Sequence, residues 1–390
     1  MYAMKRILFV MSSLYNGGAE KSLVNLLNEI DYSRYEVDLL LFKPKGLFMS
    51  QVPRKVNILS RPKRLKALYD DDIRFCFGSF VKVLGTVIAN LCDKRYNYRK
   101  GIRWKYFYKF YLKDFEKEYD IAFAAINSDV LYYIGDKVHA AKKIIMVHND
   151  YRSAEFPKKY DFKYFKEADC IGSISNRCVE ILKEVYPEFP EKFRLLENIT
   201  SSKLIRKRAD EFIPDEYDTA AIRILSVGRL REEKGFDLAI SAAKIMKTKG
   251  IIFKWYIIGA GIEEERLRMQ IEAEDLKNDV FLLGVRENAY PYMKNCNIVV
   301  QPSRFEGKSV VLDEAKILGK PIVATCYPTV KDQLSMDEGM VVDMEPRALA
   351  EGIIKMSDPI IQQQYVTFLR QHEYGNQEVI QKYYDVFDNE

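Results

Sequence analysis

The sequence contains few of the residues that build metal centres and disulfide scaffolds. Its six cysteines form no C-x-x-C pair, and it has only three histidines, at positions 139, 148 and 372. This scarcity argues against a structural zinc site and against a disulfide framework, so a reducing, cytoplasmic setting is expected. The apolar run near the N-terminus is about five residues long, too short for the core of a signal peptide, and predicts a buried strand.

Two further patterns are incomplete. The sequence IIGAG has glycines at positions 259 and 261, but Glu264 stands where a dinucleotide fingerprint needs its third glycine, which disfavours a nicotinamide enzyme. The long apolar stretch at 75–92 is at the lower length limit for a membrane span, and Lys82, two glycines and Asn90 interrupt it, which argues against a span. The acidic run at 70–72 follows no predicted strand, so we expect it to be solvated.

Positive charge is concentrated in one segment. Residues 54–113 contain 16 Lys or Arg and 4 Asp or Glu, a balance of +12 in a chain of net charge +5, so the remainder carries −7. Basic residues beside Tyr, Trp and Phe are typical of an element on an anionic membrane, and we expect such contact through residues about 75–113. The alternative is an ordinary helical pair with a solvated basic side. No nucleic-acid partner is expected, because no recognised module accompanies the basic residues.

Short apolar, β-branched runs alternate with helical patterns along the chain, beginning with the strand RILFVMS, a Gly-Gly loop and the helix AEKSLVNLLNEI. This alternation predicts α/β architecture with parallel sheets covered on both faces. A charged stretch at 200–220 is predicted to be a linker. We therefore predict two Rossmann-like, doubly wound domains, over 1–205 and 206–364. A basic helical insertion occupies about 60–118, and a C-terminal helix at 365–390 returns to the first domain.

Three groups of candidate site residues follow predicted strands, where open α/β sheets bind ligands. Gly17 and Gly18 precede the first helix, where backbone amides can approach an anion, although a plain tight turn is the alternative. Arg229 and Lys234 follow the first strand of the second domain and could neutralise a diphosphate, although surface cations are common. His148 could donate a hydrogen bond to a sugar hydroxyl or position a leaving phosphate; a satisfied core histidine is the alternative.

The stretch PSRFEGKSVVLDEAKILGKPIVAT places two carboxylates around a predicted helix start. Ser309 is a suitable N-cap, and Gly319 with Pro321 closes the helix. Glu306 precedes the helix, whereas Glu314 lies about one turn inside, where it could accept bonds from ribose hydroxyls. The amides of residues 309–311 form a helix N-terminus suited to phosphate. Together these features predict a nucleotide-sugar site; isolated glutamates on a solvated helix face are the alternative.

The spacing of Glu306 and Glu314, with the flanking SRFEG, DEA and LGKPIVAT, resembles the E-x7-E motif of the retaining GT-B glycosyltransferases of family 4. NGGAE, VGRL followed by KG, and IIGAG match the same family in the same order, so the resemblance covers nearly the whole chain. It implies a GT-B fold, in which two Rossmann-like domains face each other across a cleft. In this family Glu314 would bind the nucleotide ribose, and Glu306 would bind hydroxyls of the donor sugar.

The resemblance implies roles for the remaining candidates. Arg229 and Lys234 would hold the diphosphate, and His148 would contact the transferred sugar. The two glycines of the first loop would border donor and acceptor. The implied catalytic residues are His148, Glu306, Arg229 and Lys234. The implied donor-binding residues are Gly17, Gly18, Arg229, Lys234, Glu306, Lys308, Ser309, Val310 and Glu314. After EG the family often has an aromatic or aliphatic residue and then Gly or Pro; here Lys308 could contact the sugar or a phosphate.

The implied reaction transfers a hexose or N-acetylhexosamine from a UDP-sugar to an acceptor hydroxyl with retention of configuration. No cofactor or metal is expected, because Arg, Lys and a helix N-terminus would supply the positive field that a metal supplies elsewhere. The basic-aromatic segment points to a bacterial envelope or polysaccharide acceptor, which could be lipid-linked, at the inner face of the membrane. Two alternatives remain: a GT-B UDP-sugar epimerase, and a catalytically silent sugar-nucleotide-binding partner of a glycosylation complex.

Overall fold

The computed structural model describes residues 4–15, 17–70, 76–218, 220–306, 308–376 and 378–388. The chain divides into two compact units, one comprising residues 1–199 and 377–390 and the other residues 200–376. The division after residue 199 lies slightly N-terminal of the boundary expected at 205. Each unit is built around one fully parallel sheet.

The sheet of the first unit has seven strands. They are β1 (Lys5–Met11), β2 (Tyr35–Leu41), β3 (Asn57–Ile58), β4 (Tyr119–Ala124), β5 (Ala140–Val147), β6 (Cys170–Ser173) and β7 (Phe193–Leu195). Their order is β3-β2-β1-β4-β5-β6-β7. Successive residues of β1 enter separate cores, Leu8 and Val10 on one face and Ile7 and Phe9 on the other, all with no exposed surface. The sheet is therefore covered on both faces, as predicted.

The sheet of the second unit has six strands. They are β8 (Ile222–Val227), β9 (Phe253–Ile258), β10 (Val280–Gly284), β11 (Ile298–Gln301), β12 (Ile322–Thr325) and β13 (Met340–Val342). Their order, β10-β9-β8-β11-β12-β13, is the Rossmann order, in which the chain reverses its direction of winding between β8 and β11. Separate apolar clusters cover its two faces. The prediction of two doubly wound domains is confirmed.

Helices connect these strands. Those before the division are α1 (Gly18–Glu29), α2 (Lys63–Tyr69), α3 (Phe77–Cys92), α4 (Tyr96–Arg103), α5 (Lys109–Tyr111), α6 (Asp129–Lys137), α7 (Lys158–Glu167) and α8 (Asn176–Val185), with a π-helical turn, Trp104–Tyr108, between α4 and α5. Those of the second unit are α9 (Ser202–Ala209), α10 (Phe236–Thr248), α11 (Glu264–Ala273), α12 (Tyr290–Asn295), α13 (Val310–Ile317), α14 (Pro346–Met356) and α15 (Pro359–Gln371). The last helix is α16 (Val379–Asp388).

The basic insertion, which contains α2 to α5, is partly core. Trp104 and Tyr108 are 1% and 3% exposed and pack in the same cluster as β1. The side chain of Asp136 is 3% exposed and accepts from Trp104 Nε1 (2.9 Å) and Lys109 Nζ (2.8 Å). Burial alone would raise the pKa of Asp136. Hydrogen bonds to its carboxylate lower that pKa to about 2; the donors are Lys109, Trp104, Tyr164 and Lys163. Asp136 therefore fixes the aromatic part of the insertion to the first unit. Within the described residues, no helix combines the length and apolarity that crossing a bilayer requires.

Two sequence predictions about connecting segments are wrong. The stretch at 200–220 is not wholly a linker, because Ile205 and Ala209 of α9 are buried against Tyr290 and Ile317. The expected single helix at 365–390 is two: α15 belongs to the second unit and α16 to the first. Between them, His372 is extended (φ −110°, ψ 143°) and ends α15, and Gly375 has a φ of +113°, which favours glycine.

Candidate functional site

Two loops meet at the point where the second sheet reverses its winding. One loop follows β8 and contains Arg229 and Lys234; the other follows β11 and contains Glu306. Because β8 and β11 are adjacent parallel strands, both loops leave from the same edge of the sheet. Open α/β sheets bind ligands at this reversal point. The strand order thus brings together residues that are more than seventy positions apart in sequence.

A glycine permits the close approach of these loops. Gly235 has a φ of +64°, and a Cβ there would lie 2.0 Å from the carbonyl oxygen of Pro302. On the neighbouring side, the Arg304 amide donates to the Glu233 carbonyl (2.8 Å), and the Arg304 guanidinium forms two 2.7 Å bonds with the Asp237 carboxylate. A bidentate ion pair fixes direction as well as distance. The loop after β11 is therefore held rigidly against the start of α10.

Lys234 and Glu306 form the centre of the site. Lys234 Nζ lies 2.5 Å from Glu306 Oε1, and the two side chains are 18% and 10% exposed. The same oxygen also accepts from Gln301 Nε2 and from Ser303 Oγ, both at 2.7 Å. Among the described residues, no donor reaches Glu306 Oε2 in this way. The carboxylate is thus fixed in orientation with one oxygen left to accept from a ligand.

The start of α13 lies beside this carboxylate. Ser309 is the N-cap, as predicted, but its hydroxyl does not cap the helix and instead approaches Gln301 Oε1 at 3.2 Å. The Ser309 amide donates to Gln333 Oε1 (2.7 Å), and Gln333 Nε2 returns a bond to the Ser309 carbonyl (2.9 Å). Three backbone amides, those of residues 309–311, were expected to face phosphate. The amide of Ser309 is already engaged by Gln333, so the amides that could still face phosphate are those of Val310 and Val311.

Glu314 occupies a second buried position on α13. It is 3% exposed, and Tyr290 donates to its Oε1 at 3.1 Å.

Arg229 is exposed, and its side chain has no hydrogen bond or ion pair to the described part of the chain. Lys308 lies 3.8 Å from Asp313. Every candidate of the second unit thus follows β8 or β11, but Lys234 and Glu306 are the two in direct contact.

A buried hydroxyl adjoins this group. Tyr327 is 1% exposed, and its hydroxyl has no hydrogen-bond partner within the described ranges. Burial raises its pKa, and the nearby carboxyl groups of Glu306 and Asp313 raise it further. The hydroxyl therefore stays protonated.

The remaining candidates lie in the first unit. Gly17 is the N-cap of α1, where a Cβ would lie 2.2 Å from the Glu20 carboxylate, whereas Gly18 has nothing within 4 Å of a Cβ position. Neither glycine has a positive φ. A side chain at Gly17 would therefore displace only the end of the flexible Glu20 side chain, and Gly18 leaves open space at the start of α1.

His148 directly follows β5, and its expected role changes. Nε2 lies 3.0 Å from the Ala125 carbonyl oxygen, which can only accept, so Nε2 carries the proton. Burial lowers the pKa of His148 to about 4, so the ring is neutral at pH 7. Nδ1 is then an acceptor, with Asn198 as a neighbour. The one ring proton of His148 is therefore already used, and Nδ1 is a buried acceptor.

Sequence reasoning missed the residues that orient the glutamates. Gln301 and Ser303 stand at the end of β11, where polar residues replace the apolar run, and this change was a usable signal. Tyr290 and Gln333 reach the site from α12 and from the segment after β12, and no local pattern marks them. No cluster of three metal-binding side chains occurs in the described ranges.

One family model and several curated relatives match parts of this chain. The family model "Glycosyl transferases group 1" matches residues 208–366. The amylovoran biosynthesis glycosyltransferase AmsK of Erwinia amylovora is 32% identical over 146 residues, which is 35% of this chain and 36% of that protein. The Campylobacter jejuni N-acetylgalactosamine-N,N'-diacetylbacillosaminyl-diphospho-undecaprenol 4-alpha-N-acetylgalactosaminyltransferase is 31% identical over 185 residues, or 46% of this chain and 48% of that one. The matched segments thus span less than half of each relative.

Structural similarity extends over the whole chain. The crystal structure of Anabaena Alr3699/HepE in complex with UDP and glucose covers 100% of both chains with a TM-score of 0.69 and 16% sequence identity. At that identity the likeness establishes the fold alone. The family model matches residues 208–366, and the two Rossmann sheets together with this structural likeness give the chain the GT-B fold.

Proposed function

We propose that this protein is a retaining glycosyltransferase. It moves a hexose or N-acetylhexosamine from a UDP-sugar to a hydroxyl of a bacterial envelope or polysaccharide acceptor. The observation that carries this proposal is the Lys234–Glu306 contact at the reversal point of the second sheet, beside the start of α13. A cation and a helix N-terminus there suit the diphosphate of a donor, and a fixed carboxylate suits the hydroxyls of its sugar.

Each of these groups binds a different part of the donor. Arg229 and Lys234 bind the diphosphate together with the first free amides of α13, and Glu314 accepts from the ribose hydroxyls. Glu306 accepts from sugar hydroxyls through Oε2, because Oε1 is already saturated by three donors. When the diphosphate binds, Lys234 is shared between phosphate and Glu306, which places the sugar–phosphate bond next to this pair.

The proposed reaction breaks the bond between the anomeric carbon and the β-phosphate oxygen. The acceptor oxygen attacks from the same face, and its proton passes to the departing phosphate. Arg229 and Lys234 stabilise the charge that develops on the leaving group, where each fixed cation is worth roughly 10²–10³ in rate. We propose that these cations make a metal unnecessary; turnover that persists unchanged in EDTA supports this, and turnover that requires added Mn²⁺ refutes it.

The acceptor is proposed from the relatives. AmsK is named for amylovoran biosynthesis, and the Campylobacter jejuni enzyme is named for an acceptor carried on diphospho-undecaprenol. A lipid-linked glycan is therefore the acceptor class that we propose for this chain, used at the inner face of the cell membrane.

The deciding experiment is a thermal-shift screen against UDP, GDP, ADP and their sugars, with the wild type and Glu314→Ala. A ligand that binds the folded state raises the melting temperature by mass action. We expect one UDP-sugar to stabilise the wild type, and Glu314→Ala to weaken its binding roughly 10–100-fold, as loss of bonds to a charged group predicts. Absence of a shift with every nucleotide would contradict the proposal. Retention is tested separately by NMR of the product anomer.

A further inference from the structure

Helix α3 presents an apolar face to solvent. Phe77, Phe80, Leu84, Val87 and Leu91 recur at intervals of three and four residues, so they lie on one side of the helix. They are between 37% and 82% exposed. Isolated exposed apolar side chains are common on protein surfaces, but a continuous stripe over four turns indicates a surface that binds something.

The opposite side of α3 is packed and fixes which face points outward. A Cβ at Gly78 would lie 2.5 Å from Ala67, and one at Gly85 would lie 3.2 Å from Phe107. The only charged residue of this helix, all of which the structure describes, is Lys82, and its Nζ donates to the Asp70 carbonyl (2.5 Å). The outward face therefore carries no charge of its own.

Cationic side chains stand at both ends of this apolar stripe. The Arg64 guanidinium lies 5.5 Å from the centre of the Tyr111 ring, which in turn contacts Phe77 at 5.9 Å. At the far end, Arg99 donates to Asn90 at 2.8 Å, directly before Leu91. The sequence from 76 to 113 has nine Lys or Arg and one acidic residue. An uncharged stripe bounded by cations matches the cross-section of an anionic bilayer surface.

We propose that α3 is a membrane-binding helix that lies flat on an anionic lipid bilayer. Its apolar stripe enters the boundary between headgroups and acyl chains, and the flanking cations bind lipid phosphates. The helix is about 24 Å long, which suits a flat element and not a span. The same cations disfavour a second copy of the chain as the occupant, because a facing copy would bring like charges together. The link to a lipid-linked acceptor rests on the proposed function; the binding surface does not.

This proposal narrows the membrane contact that the sequence predicts over residues about 75–113. The basic-aromatic stretch contributes its cations, but Trp104 and Tyr108 are buried in the first unit and are not free to enter a bilayer. The apolar contribution comes from 77–91, which lies inside that range.

The test is flotation of the full-length protein with vesicles of phosphatidylcholine that contain about one third phosphatidylglycerol, and with phosphatidylcholine alone. We expect the wild type to float with the anionic vesicles at low salt. Phe80→Ser/Leu91→Ser should weaken this partitioning roughly tenfold or more, since it removes two inserted side chains. The matched control is Ile252→Ser/Ile360→Ser, which removes side chains that are 72% and 73% exposed in the second unit and should bind like the wild type.

Two results would overturn the proposal: a wild type that stays in the soluble fraction with anionic vesicles at low salt, or a stripe variant that binds as the wild type does. A concentration-dependent dimer in the wild type that becomes monomeric in the stripe variant would instead assign the face to self-association. As a positive readout, Leu84→Trp should shift its fluorescence to the blue with anionic vesicles; flotation without that shift would place binding elsewhere. No nucleotide or acceptor is present, so failure here is distinct from failure of the UDP-sugar screen.

Discussion

At the scale of single residues, the Lys234–Glu306 pair combines two functions. The ammonium neutralises a carboxylate that is only 10% exposed, and the same ammonium is proposed to bind the donor diphosphate. Removal of one partner leaves the other desolvated and uncompensated, which costs more than removal of both.

A double-mutant cycle tests this coupling. Lys234→Met should lower the free energy of unfolding by about 2 kcal/mol, less than for a fully buried pair, because both side chains retain some exposure. Lys234→Met/Glu306→Gln should recover most of that loss, as measured by urea denaturation, yet remain inactive. Additive losses in the double variant would show that the two side chains do not stabilise each other.

Two titrating residues of the first unit give opposite pH dependences. Asp161 is 1% exposed and accepts from Tyr132 (2.5 Å) and Tyr151 (2.7 Å), but burial still raises its pKa to about 6. Its stabilising contribution is full below pH 3.8 and is lost as the pH rises through 6, a difference of about 3 kcal/mol. His148 behaves in the opposite way: its pKa is lowered from 6.5 to about 4, so its contribution is present above pH 6.5 and is lost as the pH falls through 4.

Single substitutions at the two positions should therefore separate the two pH dependences of stability. Relative to the wild type, Asp161→Asn should gain stability between pH 4 and pH 7, since it no longer carries a buried carboxylate that must ionise. His148→Gln should lose stability relative to the wild type over the same interval. Urea denaturation at pH 4 and pH 7 measures the free energy of unfolding of each variant and of the wild type. If a variant differs from the wild type by the same free energy at both pH values, the substituted residue does not titrate in this window.

At the scale of elements, the site depends on a close approach of two loops that one glycine permits. Gly235→Ala would place a methyl group 2.0 Å from the Pro302 carbonyl, so the β8 and β11 loops must separate and the Lys234–Glu306 contact must lengthen. We expect loss of UDP-dependent thermal stabilisation in addition to lowered stability.

A second glycine supplies the control. Gly250 has a similar positive φ, +75°, but nothing lies within 4 Å of its Cβ position. Gly250→Ala should therefore cost only the left-handed strain, about 1–2 kcal/mol, and retain UDP binding. Equal effects of the two substitutions on UDP binding would show that backbone strain, rather than the approach to Pro302, is what matters at Gly235.

At the scale of the whole molecule, the C-terminal helix completes the core of the first unit. Phe387 of α16 is 1% exposed and contacts the rings of Phe9 and Phe123. Asp388 accepts from Lys5 (3.1 Å) and from Tyr35 (2.8 Å). The first unit is therefore built from both ends of the chain.

The two tryptophans permit a test in which each unit is observed separately. Trp104 is buried in the first unit and Trp255 in the second, so Trp255→Phe and Trp104→Phe backgrounds each leave one reporter. Phe387→Ala should lower the urea midpoint of the Trp104 signal, as a loss of about 3–5 kcal/mol predicts, and change the Trp255 signal less. Phe110→Ala, at a site 76% exposed, is the control and should leave both midpoints unchanged. A lowered Trp255 midpoint of equal size would contradict independent stabilisation by α16.

The sequence by itself determined the alternation of strands and helices, the Ser309 N-cap and the position of both glutamates around α13, because these depend on local periodicity and capping. Only the tertiary structure decided which distant residues meet. The Lys234–Glu306 contact requires β8 and β11 to be neighbours, and the orientation of Glu306 requires Gln301 and Ser303. The division of the insertion into a core side and an apolar outer side likewise depends on packing against the first sheet. Burial and strand order are properties of the whole chain, and no local pattern encodes them.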